Sequence, residues 1–104
     1  MKVEVLYFEG CPNHVPAVEM VHRVLAREEI EAQIVSLDVP DVETATRLRF
    51  LGSPSIRVNG VDIEPARQDD SPFFGCRTYN VQGKTVGVPP GEWLAEALRS
   101  ASHI

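Results

Sequence analysis

The first part of the chain alternates between β-rich and helix-periodic segments. Residues 3–8 are rich in β-formers, which predicts a first strand. From about Pro12 or Pro16 to Glu28, apolar residues recur on one helical face, which predicts a helix. A second β-rich run covers residues 32–39 and predicts a second strand. Because a helix connects these strands, we expect them to lie parallel through a right-handed crossover.

A second helix is predicted directly after this unit. Asp41 is a residue type that favours the N-cap position, and Gly52 is typical of the residue that follows a helix. The helix is therefore expected to begin after Asp41 and to stop at Gly52. Its periodicity directs four apolar side chains inward, namely Val42, Ala45, Leu48 and Leu51.

Two hairpins and a last helix are predicted in the second half of the chain. Asn59-Gly60 lies between two β-rich runs within residues 54–63, and this dipeptide suits the positive φ angles of a tight hairpin. Residues 65–75 are polar and contain proline, which predicts a loop, whereas residues 76–88 predict a second, weaker hairpin. The last helix is expected to bury Trp93, Leu94, Ala97, Leu98 and Ala101.

This order of elements predicts the fold class. Strand, helix, strand, helix, hairpin and helix are expected to form an α/β sandwich, with a central mixed β-sheet flanked by helices. Residues 1–104 are expected to form a single domain, in which residues 65–88 are an insertion before the last helix.

Length and charge narrow the classes of function. The chain has 104 residues, enough for one core, and its 10 basic and 15 acidic residues give a net charge of −5. This charge disfavours binding to nucleic acid. The sequence contains no apolar run of the roughly 20 residues that a membrane helix needs, and its first residues lack the pattern of a secretory signal. We therefore expect a cytoplasmic protein that binds neither nucleic acid nor a membrane.

Two short motifs carry a resemblance to a known family. Gly10-Cys11-Pro12-Asn13-His14 leads from the first strand into the first helix, and Ser53-Pro54-Ser55-Ile56 opens the hairpin. This arrangement resembles the thioredoxin and glutaredoxin superfamily over residues 1–64 and the last helix. The resemblance implies a thioredoxin-like fold in which Cys11 is the nucleophile and Pro54 is a cis-proline. It also implies that Pro12, Ser53, Pro54 and Ser55 form the substrate-binding groove.

The sequence departs from the family pattern at one position that bears on the chemistry. The usual Cys-x-x-Cys is replaced by Cys11-Pro12-Asn13-His14, so His14 stands where the resolving cysteine is expected. Exchange between two thiols of this motif is therefore excluded. His14 is a candidate for tuning the Cys11 thiolate or donating a proton. The alternative is a solvated residue in the first helical turn.

A separate physical argument supports Cys11. A thiol just before a helix faces unpaired backbone N–H groups and the positive end of the helix dipole, both of which favour the thiolate. Pro12 suits a first helical position. Pro16 leaves a second interpretation open, because it disfavours helical geometry at Val15 and would start the helix later, with Cys11 on a loop. A free cysteine can also be a small buried hydrophobe.

Cys76 is of interest because of its place in the expected topology. In this fold the hairpin returns the chain to the sheet edge near Cys11, so residues 65–75 would emerge there and Cys76 would close that loop. The two cysteines are then expected within disulfide reach, with Cys76 as the resolving or co-ligating thiol. The alternative is that Cys76 belongs to a plain strand.

Three functions follow from these residues. The first is thiol–disulfide exchange with a protein or small-molecule disulfide or thiol, with no resident cofactor or metal and with glutathione as a candidate co-substrate. The second is binding of a soft metal, mercury or copper(I), between the thiolates of Cys11 and Cys76. The third is a non-catalytic interaction module. The sequence leaves open whether the protein is an enzyme, and also its oligomeric state.

Overall fold

The computed structural model describes residues 1–102 and shows an α/β protein with a mixed sheet and three α-helices. A short 3-10 helix, Pro65–Arg67, follows the fourth strand. The regular elements in chain order are β1 (Lys2–Tyr7), α1 (His14–Arg27), β2 (Gln33–Asp38), α2 (Val42–Leu48), β3 (Ser55–Val58), β4 (Val61–Asp62), β5 (Tyr79–Val81), β6 (Lys84–Val86) and α3 (Gly91–Ser102).

The main sheet has four strands in the order β2-β1-β3-β4. β1 and β2 are parallel, with Tyr7 opposite Asp38, as predicted from the connecting helix. β3 is antiparallel to β1, with Leu6 opposite Ser55. The carboxyl ends of β1 and β2 and the amino end of β3 therefore meet at one edge of the sheet. We call this edge, marked by Tyr7, Asp38 and Ser55, the carboxyl edge.

Helices cover both faces of this sheet. Alternate side chains of a strand point to opposite faces, so Val3 and Val5 enter one core while Leu6 enters the other. The larger core joins β1 and β3 to α1 and α3. The smaller core packs α2 against the opposite face. Its buried members are Leu6, Val39, Ala45 and Phe50.

The start of α1 differs from one of the two interpretations of the sequence. The helix begins at His14, so Pro12 is not its first residue and Asn13 is the N-cap. Pro16 lies within the first turn, where a backbone N–H has no partner inside the helix, so the proline removes no helical hydrogen bond. Cys11 therefore lies on the turn before the helix, which is the alternative that Pro16 left open.

The end of α2 was predicted too late in the chain. The helix ends at Leu48, and Arg49 takes a left-handed conformation with φ of 56°. The Arg49 and Phe50 N–H groups then donate to the carbonyls of Thr46 and Ala45, which closes the helix. This early reversal turns Phe50 into the smaller core, where it is fully buried. Val42, predicted to face inward, is 63% exposed.

The second hairpin and the last helix form as predicted, with small differences. β5 and β6 pair antiparallel around Gln82-Gly83, both of which have positive φ. In α3 the fully enclosed residues are Leu94, Ala95 and Leu98, whereas Trp93 is only partly buried. Within residues 1–102, the helices are too short or too polar to cross a lipid bilayer.

Candidate thiol site at the carboxyl edge

Cys11 lies on the turn that connects β1 to α1, at the carboxyl edge. It is half-buried and is a free thiol. Its N–H donates to the Phe8 carbonyl at 3.2 Å, and its own carbonyl accepts from the His14 N–H at 3.3 Å. The helix dipole acts mainly within the first turn, and Cys11 precedes that turn. The predicted role of Cys11 as a nucleophile is therefore supported by its position in the fold rather than by the helix dipole.

The insertion contacts the turn that carries Cys11. The side-chain amide of Asn13 lies so close to Gly87 that a Cβ atom on this glycine would overlap it. The Asn13 side chain makes no hydrogen bond to the helix that it caps. On the other side of the turn, the ring of Phe74 lies 5.7 Å from that of Phe8. Residues on both sides of Cys11 thus pack against the insertion.

Cys76 lies beside the start of β3. It forms an isolated parallel bridge with Ser53, is exposed and is a free thiol. Two backbone hydrogen bonds hold this pairing: the Ser53 N–H donates to the Gly75 carbonyl at 2.8 Å, and the Arg77 N–H donates to the Ser53 carbonyl at 2.9 Å. The peptide bond between Ser53 and Pro54 is cis, as expected from the sequence.

The sheet register brings both cysteines to the same edge. Cys11 follows the carboxyl end of β1. Cys76 pairs with Ser53, and Ser55, two residues after Ser53, pairs with Leu6 of β1. The register and the bridge thus place both cysteines at the carboxyl edge. Their ability to form a disulfide remains a prediction.

His14 is held by a ring contact rather than by hydrogen bonds. Its imidazole stacks on the phenol ring of Tyr7, with ring centroids 3.5 Å apart and planes inclined by 4°. Its Nε2 atom is buried and has no hydrogen-bond partner among residues 1–102. His14 is partly exposed, and Tyr7 covers one face of its ring. Its predicted catalytic role remains a prediction.

The other predicted groove residues differ in exposure. Pro12 is exposed, whereas Ser53, Pro54 and Ser55 are buried. The Ser55 hydroxyl donates to the Gly52 carbonyl at 2.6 Å, so its hydrogen bond is made inside the protein. Of the predicted groove residues, Pro12 is thus the one whose side chain is exposed at the surface. Ser53 and Pro54 lie beneath the surface at the carboxyl edge.

A buried charged cluster behind Cys76 was missed by the sequence analysis. The guanidinium of Arg77 is buried and donates to both carboxylate oxygens of Asp62, at 2.7 and 2.9 Å. It also donates to Glu64 at 3.3 Å and to the Ser55 hydroxyl at 3.0 Å. No sequence signal links these residues, because Asp62 lies in the first predicted hairpin and Arg77 at the start of the second, and no pattern along the chain pairs the two hairpins.

The same cluster encloses an aromatic ring. The guanidinium carbon of Arg77 lies 4.5 Å from the centre of the Tyr79 ring, and the Tyr79 hydroxyl donates to the Pro54 carbonyl. Burial raises the pKa of Tyr79 well above its ordinary value, although the nearby Arg77 charge opposes the shift. Burial also acts to lower the pKa of Arg77, but its hydrogen bonds to Asp62 and Glu64, together with its charge interactions with Asp62 and Tyr79, outweigh this and the pKa is raised. Both groups therefore stay protonated around neutral pH.

Two further features bear on what the site can bind. Residues 1–102 hold no cluster of three or more histidine, cysteine, aspartate or glutamate side chains suited to a metal ion. A groove of about 590 Å³ lies between β4 and α3, and neither cysteine lines it. Its apolar lining includes Val58, Ile63, Trp93, Ala97 and Ala101.

Comparison with protein-family models, with curated proteins and with solved structures finds no match to this chain.

Proposed function

We propose that this protein is a thiol–disulfide oxidoreductase with a thioredoxin-like fold, in which Cys11 attacks the substrate and Cys76 resolves the intermediate. One observation carries the proposal: the bridge between Cys76 and Ser53 lies at the carboxyl edge, where Cys11 follows β1. The order of strands and helices supports the fold assignment. The likeness of residues 10–14 to an active-site turn supports the role of Cys11.

The proposed reaction has two steps. The Cys11 thiolate attacks one sulfur of a substrate disulfide, forms a mixed disulfide with it and expels the other sulfur as a thiolate. The Cys76 thiolate then attacks the sulfur of Cys11, which forms the Cys11–Cys76 disulfide and releases the second substrate thiol. The substrate disulfide gains two electrons and the protein dithiol loses two. An external thiol restores the dithiol by the reverse exchange.

Three variants and one model substrate test this proposal. Wild type, Cys11→Ser, Cys76→Ser and the double variant are each mixed with an excess of an aromatic disulfide and analysed by intact-protein mass spectrometry. We expect wild type to end as an internal disulfide that is two hydrogens lighter than the dithiol. We expect Cys76→Ser to accumulate a mixed disulfide on Cys11. Cys11→Ser should react without forming an internal bond, and the double variant should not react.

Two results would contradict the proposal. The first is wild-type protein that carries separate adducts on both cysteines and never forms the internal disulfide. The second is a Cys11 thiol that is unreactive in folded protein while Cys76 reacts, which would remove Cys11 as the nucleophile. Reaction of neither thiol would instead support the non-catalytic interaction module.

A second candidate function is binding of a soft metal ion. Two thiolates without a further cluster of ligands among residues 1–102 suit the two-coordinate geometry that mercuric ion and copper(I) accept. Titration with mercuric ion distinguishes this candidate. Retention of one ion per chain by wild type, with loss of retention in both single variants and no turnover of disulfide, would favour binding over exchange.

A further inference from the structure

We infer that Arg77 is a positioning residue that fixes Cys76 at the carboxyl edge through its buried contacts with Asp62, Glu64 and Ser55. This inference rests on the proposed function, because it explains how the insertion presents a resolving thiol. It assigns a chemical purpose to residues 65–88, which the resemblance to thioredoxins leaves unexplained.

The geometry gives Arg77 anchors on two other elements. Its two-pronged ion pair with Asp62 reaches β4, and its bond to the Ser55 hydroxyl reaches the first residue of β3. Its backbone N–H donates to the Ser53 carbonyl at 2.9 Å. Cys76 is the adjacent residue, so these contacts fix the chain immediately beside the thiol.

The residues around Arg77 strengthen this anchoring. Tyr79 lies against the guanidinium and donates its hydroxyl to the Pro54 carbonyl, which connects the far end of the segment to the same loop. On the near side, Gly52 allows the segment to approach closely, since a Cβ on it would lie 2.9 Å from the Arg77 Cβ. Cys76 itself is exposed. Its position therefore depends on its neighbours.

A lysine in place of Arg77 cannot reproduce these contacts. Its ammonium group is a compact charge without the planar fork that meets two carboxylate oxygens at once. Arg77→Lys keeps the positive charge that Asp62 needs but loses the geometry. If Arg77 positions Cys76, this variant should weaken the Cys11–Cys76 disulfide even where the protein remains folded.

The test is the equilibrium between the Cys11–Cys76 disulfide and dithiothreitol. It is measured by alkylating the free thiols and determining the masses of the products by mass spectrometry. We expect the equilibrium constant for the disulfide to fall about ten-fold or more in Arg77→Lys. Arg99→Lys, an exposed arginine that pairs with Glu28 on the helical side, is the matched control and should behave as wild type. Leu98→Ala destabilises the core away from this segment and should also leave the constant unchanged when measured well below its unfolding temperature.

A milder variant covers the case in which Arg77→Lys does not fold. Glu64→Gln retains a hydrogen-bond acceptor for Arg77 but removes the second carboxylate, and we expect a fall of about three-fold in the same constant. The inference is overturned if the folded variants at position 77 or 64 keep the wild-type constant. It is equally overturned if Leu98→Ala lowers the constant as much as Arg77→Lys, because Arg77 would then act only through overall stability.

Amide hydrogen exchange separates this inference from the proposed function. Opening of the segment exposes the Arg77 N–H, which is bonded to Ser53, and the Ser53 N–H, which is bonded to Gly75. In Arg77→Lys these two amides should exchange about ten-fold faster relative to the Asn59 amide, which donates to the Lys2 carbonyl at the far end of the sheet. If wild type forms no internal disulfide, the resolving role of Cys76 fails. Faster exchange in the variant would still support the positioning role of Arg77, whereas unchanged exchange would refute that role and leave the proposed function to be decided by the disulfide test.

Discussion

The imidazole of His14 lies flat against the phenol ring of Tyr7, with 3.5 Å between ring centroids and 4° between planes. Tyr7 ends β1 and His14 begins α1, so this stack closes the turn that carries Cys11. The ring thus has a structural use whether or not it takes part in proton transfer.

Substitution of His14 separates these two roles. His14→Phe keeps a flat ring for Tyr7 and removes a buried nitrogen without a partner among residues 1–102. We therefore expect its stability to stay within about 0.5 kcal/mol of wild type, whereas His14→Ala should lose about 1 kcal/mol or more. Urea unfolding measures both. If His14 acts only by packing, His14→Phe also keeps the disulfide-exchange rate, and a large loss of rate in a stable His14→Phe would instead indicate proton transfer.

Two glycines with positive φ are expected to differ in their tolerance of alanine. Gly52 has φ of +103°, and a Cβ there would meet Arg77, the Gly75 carbonyl and Phe73 at 2.9 to 3.1 Å. Gly60 has φ of +85° with open space around it. Gly60→Ala should cost about 1 kcal/mol from backbone strain alone, and Gly52→Ala about 2–4 kcal/mol because overpacking adds to the strain. Equal losses for the two variants in thermal or urea unfolding would show that the insertion does not pack closely against Gly52.

Tyr79 predicts a specific loss of stability at alkaline pH. Burial raises the pKa of Tyr79 above its ordinary 10.0, so the unfolded chain gives up this proton at a lower pH than the folded protein. The stabilising contribution is therefore complete below about pH 10 and is lost as the pH rises above it, by about 1 kcal/mol per pH unit. Urea unfolding at several pH values measures this slope.

Two tyrosine variants provide the controls for the alkaline slope. Tyr79→Phe should be less stable near neutral pH by about 1 kcal/mol, because the hydrogen bond to Pro54 is lost, but it should decline less steeply above pH 10. Tyr7→Phe should keep the steep decline. A Tyr79→Phe variant as steep as wild type would assign the alkaline loss to other groups.

Charge near Cys11 predicts a preference among small disulfides. Residues 3–22 contain no lysine or arginine, Glu9 lies two positions before Cys11, and the chain carries a net charge of −5. Because opposite charges raise encounter rates, cationic cystamine should oxidise the protein about ten-fold faster than anionic glutathione disulfide at low salt. The ratio should shrink as salt screens the charges. Stopped-flow rates at two salt concentrations check this, and faster reaction with glutathione disulfide would reveal a cationic binding site near the thiols.

Local sequence signals were sufficient for most of the regular structure. The β-rich runs, the periodic helices and the Asn59-Gly60 turn are properties of neighbouring residues, and each appears where expected. Helix ends were less predictable. Arg49 takes the left-handed position that the sequence suggested for Gly52, because burial of Phe50 requires the chain to reverse there.

The site was only partly predictable. The placement of Cys11 and Cys76 near one edge was predicted from the fold that the resemblance implies, because that fold sets the direction of the strand that follows Pro54. The contacts of Asn13 with Gly87 and of Phe74 with Phe8 join segments more than 60 residues apart, and no local signal marks them.

The sequence by itself determined the elements, the turn at Asn59-Gly60 and the candidate thiols, because these depend on propensities and on spacing along the chain. Only the tertiary structure decided that Arg77 is buried against Asp62 and that His14 stacks on Tyr7. A buried charge is tolerated only where a partner offsets the cost of removing it from water. For Arg77, that partner comes from another hairpin that folding brings beside it.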